Sequence, residues 1–352
     1  MANFVEKENI WLRIAKYLLP WKGDKPTEIF RKILFLSAAI VLVVSVVSLI
    51  ISGTQKIDDT RDNEQLSELF HGSGTGSTTL NIDTSRTEQI KKENPEVLDE
   101  FLPLLDINDD IVGWITLGDE EKPLIDYVVV QGDDNEFYLN HNYKKEESVS
   151  GAIFMDYVEP LTAEKQPANI ILYGHNMQSG EYFAKLTRYF NYRPSNNYGM
   201  EFYKEHPTLT FSTLYKKSTY KIFAGMLVNT QESEGEVFRY IDNLNFSSKS
   251  EFDNFCANVL DRSTFYTDVD LKYGDQLLTM STCIFDYNTT RNLNLRWVLF
   301  AREVREGEDP TVDVEKAYPN PDPLYFDYYY RIYGGEWGGR KWDASMIQGF
   351  SY

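Results

Sequence analysis

The sequence predicts a mainly β fold, an eight-stranded barrel closed or nearly closed on itself and preceded by one membrane-spanning helix. Three observations carry that prediction. Residues 33–51, ILFLSAAIVLVVSVVSLII, run for 19 positions without a charge. Beyond about residue 110 the chain breaks into short runs rich in β-branched and aromatic residues, punctuated by Gly, Asn, Asp and Pro. Few helical stretches interrupt these runs, and closure into a barrel is what leaves so many short strands without open edges.

The first twenty residues, MANFVEKENIWLRIAKYLLP, place Phe4, Ile10, Trp11, Ile14, Tyr17 and Leu18 with helical recurrence. An interfacial or cytosolic helix ending near Pro20 is expected there, with a solvated leader as the plainer reading. At 1.5 Å per residue, the apolar run of 33–51 nearly crosses a hydrocarbon core of about 30 Å. A cleaved signal peptide would have a shorter apolar core, nearer Met1, followed by a small-residue cleavage site. Residues 1–32 hold seven Lys or Arg against four acids, whereas KIDDTRDNEQ after the span is acidic. The charge asymmetry predicts a single-pass protein of the cell membrane with residues 1–32 cytoplasmic and everything after the span extracellular. Residues 52–84 include HGSGTGSTT, Gly- and Ser-rich without apolar periodicity, and are expected to be a flexible spacer in which His71 is inert.

A catalytic domain is expected over 85–305. It starts with the helical pattern SRTEQIKKENPEVLDEFLPLLDIN and continues into the eight strand candidates. These are IVGWITL, LIDYVVV, GAIFM, ANIILYG, TLTFSTL, STYKIFAGMLV, DQLLTMSTC and LRWVLFAREV. Inserted helices are expected at EYFAKLTRYFN and at SSKSEFDNFCANVLDRS, the second opened by serines suited to capping. The remaining segment, 306–352, is an extension too aromatic for ordinary disorder, yet its prolines and glycines deny it long regular elements. Its aromatic area is expected to pack on the domain or on a partner.

The formal net charge of −19 argues against binding nucleic acid through phosphate neutralisation. No cluster of His, Cys and acids stands at ligand spacing, so neither a metal nor an organic cofactor is expected. The two cysteines, Cys256 and Cys283, are too few for a disulfide framework. Cys256 lies in the amphipathic pattern FDNFCANVL and reads as core. Cys283 closes an apolar run beside Ser281 and Thr282, and reads either as a packed thiol or as a nucleophile.

A thiolate attacks a carbonyl and then leaves, which suits acyl transfer, but it needs a proton carrier. Of the four histidines, His175 ends the apolar strand candidate NIILYGHNM just after a glycine, a strand-end position like that of Cys283. The oxyanion formed on addition also needs a donor. If DQLLTMST and LRWVLFAREV are consecutive antiparallel strands, the end of the first faces the start of the second. That places Arg296 beside Cys283 and leaves Arg291 on the intervening loop. An arginine between Leu295 and Trp297 is costly to bury unpaired, so it suits an anionic partner or transition state; a surface salt bridge is the plainer alternative.

These residues carry a resemblance. TMSTC at 279–283 resembles the Thr-Leu-X-Thr-Cys signature of sortases, with Met280 in place of Leu, and Arg296 matches the arginine on the following strand. INDDIVGWITL, VVVQGDDNEFYLNHNYKKEESVSGAIFMDY and NIILYGHNMQSGEYFAKLTRYF resemble class B sortases over about residues 95–305. The resemblance implies a sortase-type eight-stranded β-barrel with N-terminal helices and an inserted helix. It also implies a membrane-anchored transpeptidase that cleaves the C-terminal sorting signal of secreted proteins through a Cys283 thioester. The acyl group would pass to a peptidoglycan-precursor or pilin amine. His175 is implied as the proton carrier and Arg296 as the oxyanion donor, with Asn135, Leu139, Tyr173, Ser281 and Thr282 lining the signal-peptide groove. Met280 for Leu nearly conserves volume, whereas the extension after Val304 departs from the usual class B pattern. Two other readings stand beside this one: a cysteine peptidase that hydrolyses to water, and a non-catalytic surface-anchored binding module.

Overall fold

The computed structural model describes residues 9–72, 80, 82–119, 121–190, 198–284, 294–339 and 341–350. The chain divides into two compact units, 1–58 and 59–352. In the first, helix α1 (Ile10–Leu18) starts at Asn9, whose side chain caps the Trp11 amide at 3.1 Å. Part of the sequence-predicted leader, residues 1–8, lies outside the described residues. Helix α2 (Pro26–Phe70) includes Pro26–Ile50, a stretch long and apolar enough to cross a membrane. Lys32 is held near its start, donating to Asp24 Oδ2 at 2.7 Å and to the Lys16 carbonyl at 2.6 Å.

Part of the expected spacer, 52–70, is helical, whereas most of its Gly- and Ser-rich stretch, 73–79, lies outside the described residues. Helix α2 continues to Phe70, and residues 59–70 belong to the second unit, so the domain expected to start at residue 85 begins earlier. The segment KIDDTRDNEQLSELF reads as a linker because its apolar stripe is thin. That stripe nonetheless packs on the domain: Leu66 is fully buried, and the partly buried Phe70 ring stacks on Trp114 at 4.4 Å between centroids. His71, expected to be inert, pairs its Nε2 with Asp126 Oδ1 at 3.0 Å. Asp126 also accepts from Trp114 Nε1 (2.7 Å), Thr116 Oγ1 (3.0 Å) and Ser67 Oγ. Gly72, at φ +65°, ends the helix in a conformation open to glycine.

Helices α3 (Thr84–Glu93), capped by Asp83, and α4 (Leu102–Ile107) lead into the sheet. Strands β1 (Ile111–Asp119), β2 (Lys122–Val130), β3 (Ile153–Met155) and β4 (Asn169–Tyr173) come first. After helix α5 (Tyr198–Glu205) follow β5 (Thr208–Thr213) and β6 (Lys217–Val228). Helix α6 (Lys249–Arg262) and the short β7 (Phe265–Tyr266) precede β8 (Leu277–Ile284) and β9 (Leu295–Glu303). Eight strands close in the order β1-β2-β3-β4-β8-β9-β6-β5, and each of the eight sequence candidates is one of them. Closure leaves the sheet without an edge.

Both inserted helical stretches are present. Ser248 caps α6 by accepting from the Glu251 amide, as its sequence signal predicts. Residues Phe183–Tyr189 form a 3-10 rather than an α-helix. At three residues per turn, Phe183, Leu186 and Tyr189 fall in one line, and all three are buried. Cys256 is fully buried in α6 against Phe252, Val259 and Phe300, and burial pushes its thiol well up.

The aromatic extension packs on this domain. Strand β10 (Tyr318–Pro319) pairs with β7, and Asn320 donates to the Ser263 carbonyl at 2.7 Å. Helix α7 (Asp327–Tyr333) follows, and Phe326, Trp342 and Ile347 are buried. The extension is fastened where it leaves β9. Arg302, with a side chain 1% exposed, forks onto Glu308 at 2.7 and 2.8 Å and donates to the Asp270 carbonyl at 2.8 Å. Lys221 reaches the same carboxylate at 2.7 Å, and Arg305 bridges Asp275 and Asp270.

The Arg302 fork holds the Glu308 carboxyl well below its ordinary value of 4.5. Because the folded-state value is the lower one, the stability it contributes is present above about pH 4.5 and is lost as pH falls through the folded value. Glu308→Gln, which leaves a buried guanidinium with less compensation, is expected to cost about 3 kcal/mol at neutral pH. Urea unfolding at pH 7 and pH 3.5 checks this: the variant and the parent should differ clearly at the first pH and less at the second.

Candidate functional site

The site is built by strand register. Strand β4 runs parallel to β8 with Tyr173 opposite Ser281, so the residues two further along, His175 and Cys283, emerge at the same rim. The rim is stitched by Thr282 Oγ1, which donates to the Gly174 carbonyl at 2.8 Å, and by Asn176 Nδ2, which donates to the Cys283 carbonyl at 2.9 Å. On its other side β8 pairs antiparallel with β9, and Cys283 stands opposite Arg296. This is the neighbour expected from the hairpin argument; Arg291 lies outside the described residues.

Gly174 permits the fit, since a Cβ there would lie 2.8 Å from the Phe183 ring. The ring of His175 is anchored through Nε2, 2.6 Å from the Leu139 carbonyl. A carbonyl only accepts, so Nε2 carries the hydrogen and Nδ1 is the other nitrogen through which a neutral ring can take a proton. The other histidines do not line this rim. His141 stacks on Phe137, His206 packs against Phe202, and His71 meets Asp126.

Around these residues lies an open groove of about 360 Å³ lined by His175, Cys283 and Arg296. Asn135, Leu139, Tyr173, Ser281 and Thr282 also line it. The structure therefore brings all eight sequence-selected residues to one cavity. Cys283 is partly exposed and unpaired, whereas Ser281 and Thr282 are buried. Arg296 Nη1 donates to Asn294 Oδ1 at 2.5 Å and to the Leu295 carbonyl at 3.2 Å. Among the described residues it forms no ion pair, so the salt-bridge alternative finds no partner there and a positive charge faces the groove.

Two residues of the site give little signal in sequence. Asp156, buried just after β3, accepts from Tyr173 Oη (2.8 Å), Asn135 Nδ2 (2.9 Å) and the Val158 amide (3.0 Å). It thereby couples two groove side chains. A buried acid ending the apolar run GAIFMD was the available clue. Tyr240, which opens the short 3-10 turn Tyr240–Asp242, shares a 2.7 Å hydrogen bond with Ser281 Oγ. Burial raises its hydroxyl pKa, with Arg296 opposing and Cys283 adding to the rise. No periodicity marks it.

Such a rim, with a thiol, an imidazole and an arginine on adjacent strands, is equipped for acyl transfer. Comparisons with known proteins agree in kind. The sortase domain family matches residues 121–304, from the start of β2 to just past β9. Sortase B of Listeria monocytogenes is 35% identical over 190 residues, covering 54% of this chain and 69% of that protein. The structure of sortase B from Bacillus anthracis in complex with AAEK1 aligns with a TM-score of 0.53 at 27% identity, over 72% of this chain and 99% of that one. A Staphylococcus aureus sortase B–substrate complex aligns with a TM-score of 0.54 at 25% identity, over the same shares. The barrel order, the rim and these likenesses place this chain in the sortase family, as a class B cysteine transpeptidase.

Proposed function

We propose that this chain is a membrane-anchored sortase that cleaves a C-terminal sorting signal of secreted proteins and transfers the acyl part to a cell-wall or pilin amine. The observation that carries the proposal is the register that sets Cys283 between His175 and Arg296 at one end of the barrel. His175 takes the Cys283 thiol proton at Nδ1, and the thiolate so formed adds to the carbonyl carbon of a threonine in the signal, moving the negative charge to the carbonyl oxygen. Arg296 supplies fixed donors to that oxygen. The peptide C–N bond then breaks, and His175 gives the departing amine its proton at Nδ1, leaving a thioester. The incoming amine attacks the thioester carbonyl, His175 takes its proton, and the thiolate leaves. Asn135, Leu139, Tyr173, Ser281 and Thr282 are the proposed walls of the peptide groove, with Asp156 keeping Asn135 and Tyr173 in place.

The uncharged run 33–51 of helix α2 is the proposed anchor, with residues 1–32 on the cytoplasmic side and the barrel outside. A non-catalytic module is the weaker reading, because a merely packed thiol would not be half-open in a groove that an arginine also lines.

The central test uses the full-length chain in detergent micelles and a fluorogenic peptide library with threonine fixed at the cleaved position. Cys283→Ala should abolish cleavage; retention of full activity would sink the proposal. Arg296→Lys replaces a fork of donors with a point charge, and kcat should fall about 10²-fold, as on loss of one oxyanion donor. Adding triglycine should divert product from the free acid to an amide seen by mass spectrometry, an outcome a hydrolase would not give. In intact cells, a membrane-impermeant maleimide should label Cys283 and spare buried Cys256; labelling only after lysis would overturn the outward orientation.

A further inference from the structure

One wall of the groove has no strand to hold it. Asn229, Thr230 and residues 237–241 line the cavity, yet 229–241 is irregular apart from the short 3-10 turns at Glu232–Glu234 and Tyr240–Asp242. Left alone, such a segment would sample many conformations, and a peptide binding to it would pay for ordering it.

From outside, the C-terminal extension covers this wall. Leu324 donates its amide to the Asp261 carbonyl at 2.9 Å, and Phe326 is 7% exposed. Gly235 sits at φ +125°, and a Cβ added to it would stand 2.6 Å from the backbone nitrogen of Asp327. Asn229, Phe238, Tyr325, Phe326 and Asp327 share one small cleft of about 80 Å³. Extension and wall therefore touch backbone to backbone at a position where only glycine fits.

The contact continues inward. Asn229 Nδ2 donates to the carbonyls of Gln231 (2.9 Å) and Gly235 (3.1 Å), which closes the turn that faces the extension. The Arg262 guanidinium lies 4.6 Å from the centroid of Phe238, a groove residue. Thr230 Oγ1 donates to the Asn294 carbonyl at 2.8 Å, and Asn294 Oδ1 in turn holds Arg296. The same wall thus borders the peptide groove and steadies the neighbour of the proposed oxyanion donor.

We propose that the C-terminal extension is a specificity-determining brace, in which Tyr325, Phe326 and Asp327 fix the 229–241 wall through Gly235 and so set which peptides the groove admits. This rests on the reading of the groove as the sorting-signal site. The three residues act through the wall and are positioning residues; none of them lines the groove.

The test compares the full-length parent with Phe326→Ala, on the extension, and Gly235→Ala, on the wall, using the same threonine-fixed library. Hydrogen exchange of residues 229–241 and the rate of Cys283 alkylation by iodoacetamide are measured alongside. Both variants should exchange faster in 229–241, raise KM for the preferred peptides by about tenfold, a modest share of what a 1 Å misplacement can cost, and reorder the library ranking. Iodoacetamide, which is too small to need the wall, should alkylate Cys283 at the parental rate. Faster exchange with parental KM and ranking would overturn the specificity role, and unchanged exchange in both folded variants would overturn the brace itself. If the parent cleaves no library member through Cys283, the peptide-groove reading fails and the specificity role falls with it, while exchange still reports on the brace. A variant that does not fold is replaced by Tyr325→Ala, a milder change at the same cleft, read in the same way.

Discussion

The parallel pairing of β4 with β8 is the contact on which the rest depends. A thiol and an imidazole at the ends of two strands meet only if both chains leave the sheet at the same rim, and parallel neighbours do so by construction. Parallel strands cannot be joined by a tight turn, so a long crossover must separate them. Here the crossover holds α5, β5, β6, α6 and β7, which close the barrel and supply the groove wall on the way. On its other edge β8 meets β9 antiparallel, which returns the chain to the same rim with Arg296 opposite Cys283. One central strand therefore fixes both neighbours of the thiol.

Polar groups near the rim are mostly occupied. Thr282, Ser281, Tyr173 and Asn135 each spend their hydrogen-bonding groups on the scaffold, at Gly174, Tyr240 and Asp156. Such commitments hold side chains in single rotamers, which is the preorganisation that a groove for an extended peptide needs. The opposite strategy appears at the base of the barrel, where Arg302 is buried outright and balanced by carboxylates and carbonyls. One end of the molecule is tied by charge, and the other leaves a half-open thiol beside a cation.

The strands were legible in the sequence because each is short, β-rich and bounded by turn residues, and all eight candidates are staves of the barrel. The Cys283–Arg296 neighbourhood was legible because a hairpin converts sequence distance into spatial register without further information. Tyr240 was not, since nothing local ties a tyrosine in a three-residue 3-10 turn to a serine 41 residues away. The role of Leu139 was half visible: its contact with His175 is made by the backbone carbonyl, which every residue possesses. The helix through 52–70 was not legible because burial of Leu66, with Leu69 and Phe70 partly buried beside it, outweighs a composition that alone suggests a linker. Residues 183–189 show the same limit in another form, since a threefold apolar repeat suits a 3-10 helix and is easily taken for an α-helical one.

The carboxylate of Asp126 gathers Trp114, Thr116, Ser67 and His71 around it, with the Phe70 ring laid over the indole. Ser67 and the ring come from the last turns of α2, and His71 directly follows them. A soluble version begun after the Gly- and Ser-rich stretch, a natural choice for crystallisation or assay work, would keep the whole barrel yet strip this cover. It would present a bare indole face beside a carboxylate short of two partners, and exposed apolar patches of that kind promote self-association. Aggregation or sluggish behaviour in so trimmed a protein would then report the missing helical turns and say nothing about the transpeptidase.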